Sequence, residues 1–419
     1  MPRNTWLSTT IGAQVTLQRG VDITKAQQRL GKVPVVSSGG ISSYHDEATA
    51  KGPGVVLGRK GVVGSVYYIA EDYWPHDTTL WVKDFHGNDP RFVYYFFRYF
   101  APQLASMDVG SANPTLNRNH VHPIGVDWPP LPEQRAIAAV LGALDDKIEL
   151  NRRMNATLEG LARALFKAWF VDFEPVRARM AGRPTGLPAE IDALFPDEME
   201  VGEEGVERPR GWRVQVLKDL VEYVIGGDWG KDERSEEFPA ETYCIRGADI
   251  PSLQGGGLGS MPSRYLKLAS LEKRSLRPGD LVVEISGGSP TQSTGRPVLV
   301  TKGLLSRLDK PLVCSNFCRL VRPQDEATGS FVYFWLRWLY QRDDFLAYEN
   351  GTTGIKNFAF TLFSEQFPLC MPPDALMRAF EKVATSLFER MQLNGSQSDT
   401  VAKLRDALLP KLMSGEVRV

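Results

Sequence analysis

Phe92-Val93-Tyr94-Tyr95-Phe96-Phe97-Arg98-Tyr99-Phe100 is answered 239 residues later by Phe331-Val332-Tyr333-Phe334-Trp335-Leu336-Arg337-Trp338-Leu339. An aromatic run with an arginine at the same place twice marks an internal duplication, and a duplication decides architecture before local propensities do. Ser111-Ala112-Asn113-Pro114-Thr115-Leu116-Asn117 and Gly351-Thr352-Thr353-Gly354-Ile355-Lys356-Asn357 follow at an offset of 240. From Pro129-Pro130 and Pro372-Pro373 the offset settles at 243, through Arg135/Arg378, Val140/Val383, Leu144/Leu387, Asn151/Asn394, Leu161/Leu404 and Leu165/Leu408. Each half therefore reads as a mixed globular module followed by a long helix.

The first long helix opens at Pro129-Pro130-Leu131-Pro132, with Glu133 at the positive end of its dipole; the second opens at Asp374, a suitable N-cap after two prolines. A 4,3 spacing runs through Ile137, Leu141, Leu144, Ile148, Asn151, Asn155, Leu158, Ala162, Leu165 and Trp169. That is a coiled-coil seam, and adding 243 gives Phe380, Ala384, Leu387, Met391, Asn394, Ser398, Val401, Arg405, Leu408 and Leu412. The two helices are each other's natural partners, and the polar centres, Asn151 and Asn155 against Asn394 and Ser398, suit a register-setting role. Asn394-Gly395-Ser396 supports a kink instead, since Gly costs about 1 kcal/mol inside a helix, and Arg405 also departs from an ideal seam.

The expected fold class is α+β: two globular mixed α/β heads separated by two long helices in an antiparallel coiled coil, related by a pseudo-twofold axis. The expected boundaries are residues 1–128 for the first head, 129–171 for the central helix, 172–208 for an acidic linker with short helical pieces, 209–371 for the second head and 372–419 for the C-terminal helix. Within the heads, Gly54 to Ile69 and Arg277 to Gly288 both read as strand, glycine-punctuated turn and strand.

Composition narrows the function. With 49 basic and 50 acidic side chains among 419 residues, the chain is not a polycation, and 42% hydrophobic residues supply ample core. Neither a membrane span nor a secretory signal is legible, so a cytoplasmic protein is expected. The cysteines, Cys244, Cys314, Cys318 and Cys370, lie in the half that has no histidine, which excludes mixed Cys/His zinc spacings there and favours reduced structural thiols. All five histidines, His45, His76, His86, His120 and His122, lie in the first head; His120-x-His122 could share a strand face, but no carboxylate spacing completes a metal site. No P-loop, Gly-x-Ser-x-Gly elbow or dinucleotide fingerprint is present. Catalytic residues, metal and cofactor are therefore all expected to be none.

What the heads offer is Arg, Lys, Asn, Gln and Ser in glycine-bearing loops, the residue types that read base edges and hold phosphates. The candidates in the first head are Ser38 and Gly39 with Tyr44 and His45, Arg59 with Lys60, and Asn117, Arg118 and Asn119. Those in the second are Trp229 with Lys231, the stretch from Ser286 through Gly288, Thr291 and Gln292 to Arg296, and Lys356 with Asn357. Residues 1–128 carry 12 basic and 10 acidic side chains and residues 206–371 carry 21 and 20, so neither head is a broad cationic surface and non-specific affinity should be modest.

The chain resembles the specificity (S) subunits of Type I restriction-modification systems. The resemblance spans essentially all 419 residues. Its most specific pieces are Pro129-Pro130-Leu131-Pro132-Glu133-Gln134-Arg135, Phe173-Glu174-Pro175-Val176-Arg177, Pro209-Arg210-Gly211-Trp212 and the tail from Leu408 to Val417. It implies two target-recognition domains reading the unlike halves of a split DNA site, with the coiled coil as spacer. It further implies a non-catalytic subunit, one copy per complex, that bridges two adenine-N6 methyltransferase (M) subunits holding S-adenosylmethionine and is joined by two motor-nuclease (R) subunits. Two other readings compete: a stand-alone two-headed DNA-binding protein without enzymatic partners, and an enzyme built on the first head's histidines.

Overall fold

A computed structural model describes residues 6–107, 115–202, 205–287, 292–351 and 356–419. Alternating apolar stretches of the first head form β1 (Leu7–Thr10), β2 (Thr16–Arg19), β3 (Val33–Ser37), β4 (Gly40–His45), β5 (Gly54–Gly58), β6 (Val66–Ile69), β7 (Trp74–Pro75), β8 (Thr79–Asp84) and β9 (Gly125–Trp128). They assemble as a four-stranded sheet in the order β2-β8-β5-β6, a three-stranded sheet β4-β3-β7 and the pair β1-β9. β10 (Met199–Val201) and β11 (Glu207–Pro209) form a hairpin in the segment expected to be a linker.

The second head supplies β12 (Arg213–Val216), β13 (Val221–Gly226), β14 (Ala240–Ile245), β15 (Ser263–Leu266), β16 (Leu281–Glu284), β17 (Ser286–Gly287), β18 (Pro297–Leu299), β19 (Leu312–Cys314), β20 (Cys318–Pro323), β21 (Glu349–Asn350), β22 (Lys356–Phe358) and β23 (Pro368–Met371). Its sheets run β13-β20-β16-β18, β15-β14-β19 and β12-β23. The three strand orders of the first head thus recur strand for strand. Pairing directions recur as well: β3 is antiparallel to β4 and parallel to β7, and β14 is antiparallel to β15 and parallel to β19. The second head also carries β17-β22-β21; among the described residues, the first head pairs Lys60 with Thr115 at the corresponding place.

The chain folds as two compact units, residues 1–148 with 400–419, and residues 149–399. The duplicated aromatic helices, Pro90–Ser106 and Glu326–Gln341, begin at Asp89 and Asp325, each of which caps the helix by accepting backbone N–H groups. Phe92, Val93, Tyr95 and Phe97 bury in the first unit's core; Phe331, Val332, Phe334 and Leu336 bury in the second's. Each buried side chain of this size contributes about 1.5–3 kcal/mol. The duplicated arginines each face a carboxylate on the central helix. Arg98 lies 3.7 Å from Asp145, and Arg337 pairs with Glu159 while donating to Gln254.

Two 40-residue helices, Leu131–Phe170 and Asp374–Met413, carry the seam. None of the twenty seam positions is exposed, and they run antiparallel inside each unit. Asp145 pairs with Arg405 at 2.5 Å in the first unit, while Asn151 reaches Ser398 and Phe166 packs edge-on against Phe380 in the second. Arg405 is therefore a seam residue with its own carboxylate rather than a break. The competing reading of a break at Gly395 does not hold, since the C-terminal helix is continuous through it. The segment 172–208 also differs from a free linker. Besides helices Glu174–Met180 and Ala189–Asp192 and the β10-β11 hairpin, it buries Phe173, Val176 and Phe195 against Trp169, Phe170 and Trp212.

The Pro-Glu-Gln helix start has a direct physical explanation. Glu133 accepts the Trp6 indole N–H at 3.0 Å. Gln134, 2% exposed, donates to Asn88 and to the Pro129 carbonyl and accepts the Asp89 N–H. One amide side chain thereby ties the coil to the start of the aromatic helix. Among the described residues, no helix is long and apolar enough to cross a membrane.

Candidate nucleic-acid interface

In the first unit, strand ends and turns converge at one edge of the four-stranded sheet. The β3-β4 turn sets Ser38 against the loop after β5: the Ser38 carbonyl accepts from the Ser65 hydroxyl at 2.7 Å and from Tyr67 at 3.1 Å, and its N–H donates to Thr78. Gly40 and Gly61, with φ of 104° and 81°, let the two loops turn where a side chain would be strained. The Arg59 and Lys60 N–H groups donate to the Thr78 carbonyl, and the Leu116 N–H to the Arg59 carbonyl. Asn117 then caps the short helix Arg118–Val121.

The result is an open cleft of about 510 Å³ lined by Gln18, Arg19, Arg59, Leu80, Asn117 and Arg118. Asp77 is the carboxylate that balances it, held 2.8 Å from Arg19. Burial pushes the Asp77 carboxyl up, but Arg19, His76 and Lys60 pull harder and leave it below its ordinary value. Burial, then the nearby Arg19 charge, lowers the Arg59 guanidinium. Three guanidiniums line the cleft and only that of Arg19 is paired with the Asp77 carboxylate, which leaves positive charge beside two amide side chains. Such a cleft suits a phosphate or the acceptor edge of guanine, with Asn or Gln able to take adenine.

The structure thus brings together Ser38, Gly39, Arg59, Lys60, Asn117, Arg118 and Asn119. Tyr44 and His45 lie elsewhere, at the far end of β4 from the turn. Tyr44 is exposed, whereas His45 is 2% exposed, accepts the Arg29 N–H at 2.9 Å and packs edge-on against Trp74. His45 is accordingly a packing residue. Gln18, Arg19, Asp77 and Thr78 were not among the sequence candidates. Arg19 ends β2 just before a glycine whose Cβ would strike the His76 carbonyl at 2.0 Å, a strand-end signal too common to single it out.

In the second unit the corresponding strand end pairs in the same way: Phe358 N–H donates to the Ile285 carbonyl, and Ser286 and Gly287 oppose Asn357 and Lys356. Glu349 gathers this edge, accepting the Thr294 N–H and hydroxyl and pairing with Lys356 at 3.1 Å. Burial raises the Glu349 carboxyl, but these donors outweigh it and lower its pKa. Ser286, Gln292, Lys356 and Asn357 share this region, while Gly288 and Thr291 lie outside the described residues. Arg296 is not free to read a base: its guanidinium binds the buried Glu284 at 2.6 and 2.7 Å and the Gly247 carbonyl at 3.0 Å. Trp229 and Lys231 lie by β15 instead, where Arg264 stacks 4.3 Å over the indole and Lys231 bridges to Tyr265.

The first head's histidines are largely absorbed by local structure. His122 accepts the Leu17 N–H, His86 bonds the Ala13 carbonyl, and His76 contacts Thr78. Asp22, His76 and Asp77 have ligand-type atoms within 4.8 Å of one another, but Asp77 is already committed to Arg19.

A tandemly duplicated, two-headed α+β protein with polar loop clusters on its heads is the class this architecture defines. Residues 14–160 match the Type I restriction modification DNA specificity domain. The chain is 28% identical over 343 residues to the Type I restriction enzyme HindI specificity subunit of Haemophilus influenzae, covering 73% of this chain and 71% of that one. It is 25% identical over 338 residues to the MjaIX specificity subunit of Methanocaldococcus jannaschii, covering 78% and 69%. Its fold is similar to the S subunit of a Type I restriction-modification system from M. genitalium, with a TM-score of 0.53, 15% identity and 98% of each chain covered. The chain is thus similar to Type I restriction-modification specificity subunits over about three quarters of its length, and residues 14–160 carry the match to their DNA specificity domain.

Proposed function

We propose that this chain is the non-catalytic DNA-specificity scaffold of a Type I restriction-modification complex. Each head reads one half of an asymmetric bipartite site, residues 1–128 one half and residues 209–371 the other. The coiled coil sets the spacing and docks two adenine-N6 methyltransferase subunits, which hold the S-adenosylmethionine; two motor-nuclease subunits complete the restriction complex around one copy of this chain. The observation that carries this reading is duplication with divergence. The same three strand orders recur, yet the first head presents Arg19, Arg59 and Arg118 where the second presents Ser286, Lys356 and Asn357. Like scaffolds with unlike edges suit unlike half-sites. Two 40-residue helices, each about 60 Å long at 1.5 Å per residue, are long enough to separate readers of grooves about one 34–36 Å turn apart.

The test is co-expression with the methyltransferase encoded beside this chain in a methylation-free host, followed by genome-wide mapping of N6-methyladenine. A single bipartite motif that vanishes without this chain is expected. Copurification without any new motif would refute the recognition role, and failure to copurify would favour a stand-alone DNA-binding protein.

A further inference from the structure

Gly395 looks like a helix breaker in the sequence, yet it lies inside an unbroken helix, buried against the second head. A Cβ built on it would stand 1.9 Å from the Gly256 carbonyl oxygen and 2.9 Å from the Arg307 guanidinium. The loop that approaches it is itself built for closeness. Gly256 has φ of 83°, and a Cβ there would meet Asn155 at 2.7 Å and the Met391 carbonyl at 2.8 Å.

Polar groups lock the fit from both helices. Asn155 of the central helix, 3% exposed, donates to the Gly255 carbonyl at 2.9 Å and the Met391 carbonyl at 3.1 Å, and accepts from Asn394 at 2.8 Å. Arg307 of the head donates to the Gly256 carbonyl at 2.7 Å, to Gln392 at 2.6 Å and to Asp399 at 2.9 Å. The neighbouring Gln254 takes a bond from Arg337 and gives one to the Pro297 carbonyl, next to Arg296. Arg296 in turn binds the Gly247 carbonyl. A short segment, Gly247 to Gly256, therefore runs from the Glu284–Arg296 pair, whose Glu284 lies two residues before Ser286 in the chain, to the coil. The repeat-equivalent position in the central helix, 243 residues earlier, is Arg152, exposed and paired with Glu149 at 2.7 Å. The notch belongs to one helix of the pair.

We propose that Gly395 is a positioning residue: its missing side chain seats the Gly255-Gly256 turn, clamped by Arg307, and so fixes the direction in which the second head presents its base-reading edge. This rests on the specificity-subunit reading above. An alanine must open the contact from 1.9 Å toward an ordinary C···O approach of about 3.3 Å, a shift of about 1.4 Å at the foot of the head. Misplacement on that scale degrades a site whose parts remain intact.

The experiment is methylome mapping of the full complex with Gly395→Ala, and separately with the milder Arg307→Lys, scoring native sites and sites whose spacer is one base pair longer or shorter. Alanine favours a helix more than glycine does, so loss of helix cannot explain a defect. The expected result is weaker methylation at native spacing and an increase of about tenfold in the ratio of shifted to native sites, the signature of a loosened head. A uniform fall with an unchanged ratio in either variant, or no change in both, overturns the proposal. Absence of any bipartite motif with the unaltered chain overturns the specificity reading and this inference with it, whereas a normal motif whose spacing tolerance neither substitution moves overturns this inference alone.

Discussion

Replacing Glu284 with leucine should loosen the second head far more than its single ion pair suggests. Glu284 and Arg296 keep only 3% and 13% of their side chains exposed, and both guanidinium contacts to the carboxylate are shorter than 2.8 Å. The Glu284 hydrogen bonds hold the Arg296 pKa above its ordinary value against the opposing effect of burial. Removing the carboxylate leaves a buried cation with one carbonyl partner, and breaking such a pair costs about 3–5 kcal/mol. At 1.4 kcal/mol per tenfold, amides whose exchange follows opening of this sheet should exchange roughly a hundredfold to several-thousandfold faster. Hydrogen exchange of the β16 and β18 amides reads this directly, with β5 and β8 of the other unit as an internal control. Adding Arg296→Met to Glu284→Leu removes the stranded charge and should restore most of the protection. Exchange within tenfold of the unaltered protein for Glu284→Leu, or a double variant no better than the single one, would refute the reasoning.

The first head should be acid-sensitive through His122. This ring accepts the Leu17 N–H at 3.0 Å, and burial, then Arg118 and His86, holds its pKa below the ordinary 6.5. The unfolded chain then binds more protons than the folded one, so the contribution is complete above about pH 6.5 and is lost as pH falls through the depressed value. Protection of the Leu17 amide should decline over that acidic window, and a flat profile would contradict the role. Arg59→Ala addresses the cleft. If Arg59 meets a phosphate, the slope of log affinity against log salt should shrink by about 1; if it reads guanine, preference at one G·C pair should relax by about 1–3 kcal/mol. Fluorescence anisotropy of the assembled complex on its mapped site between 50 and 200 mM salt (about the range over which phosphate contacts register) distinguishes the two, and no effect on either quantity removes Arg59 from the interface.

The architecture was legible because it depends on periodicity and repetition, both linear properties of the chain. The aromatic-Arg-aromatic run locates two equivalent helices, and the 4,3 spacing locates a seam whose positions are all at least partly buried. Asn151, Asn155 and Asn394 could be placed at the seam centre because a helix surface follows directly from residue spacing. The loop residues were legible only as types. Arg59, Lys60, Asn117 and Arg118 do share an edge, but Arg19 and Asp77 join them through pairing of β2 with β8, a contact over roughly sixty residues that no local pattern encodes. Arg296 and His45 carried the right chemistry for reading bases and were claimed instead by Glu284 and the Arg29 backbone. Gly395 marks the boundary most clearly: by itself the sequence determined that a flexible, helix-disfavouring residue sits mid-helix, while only the tertiary structure decided its use, because the need for an absent Cβ is set by a carbonyl oxygen 139 positions away in the chain.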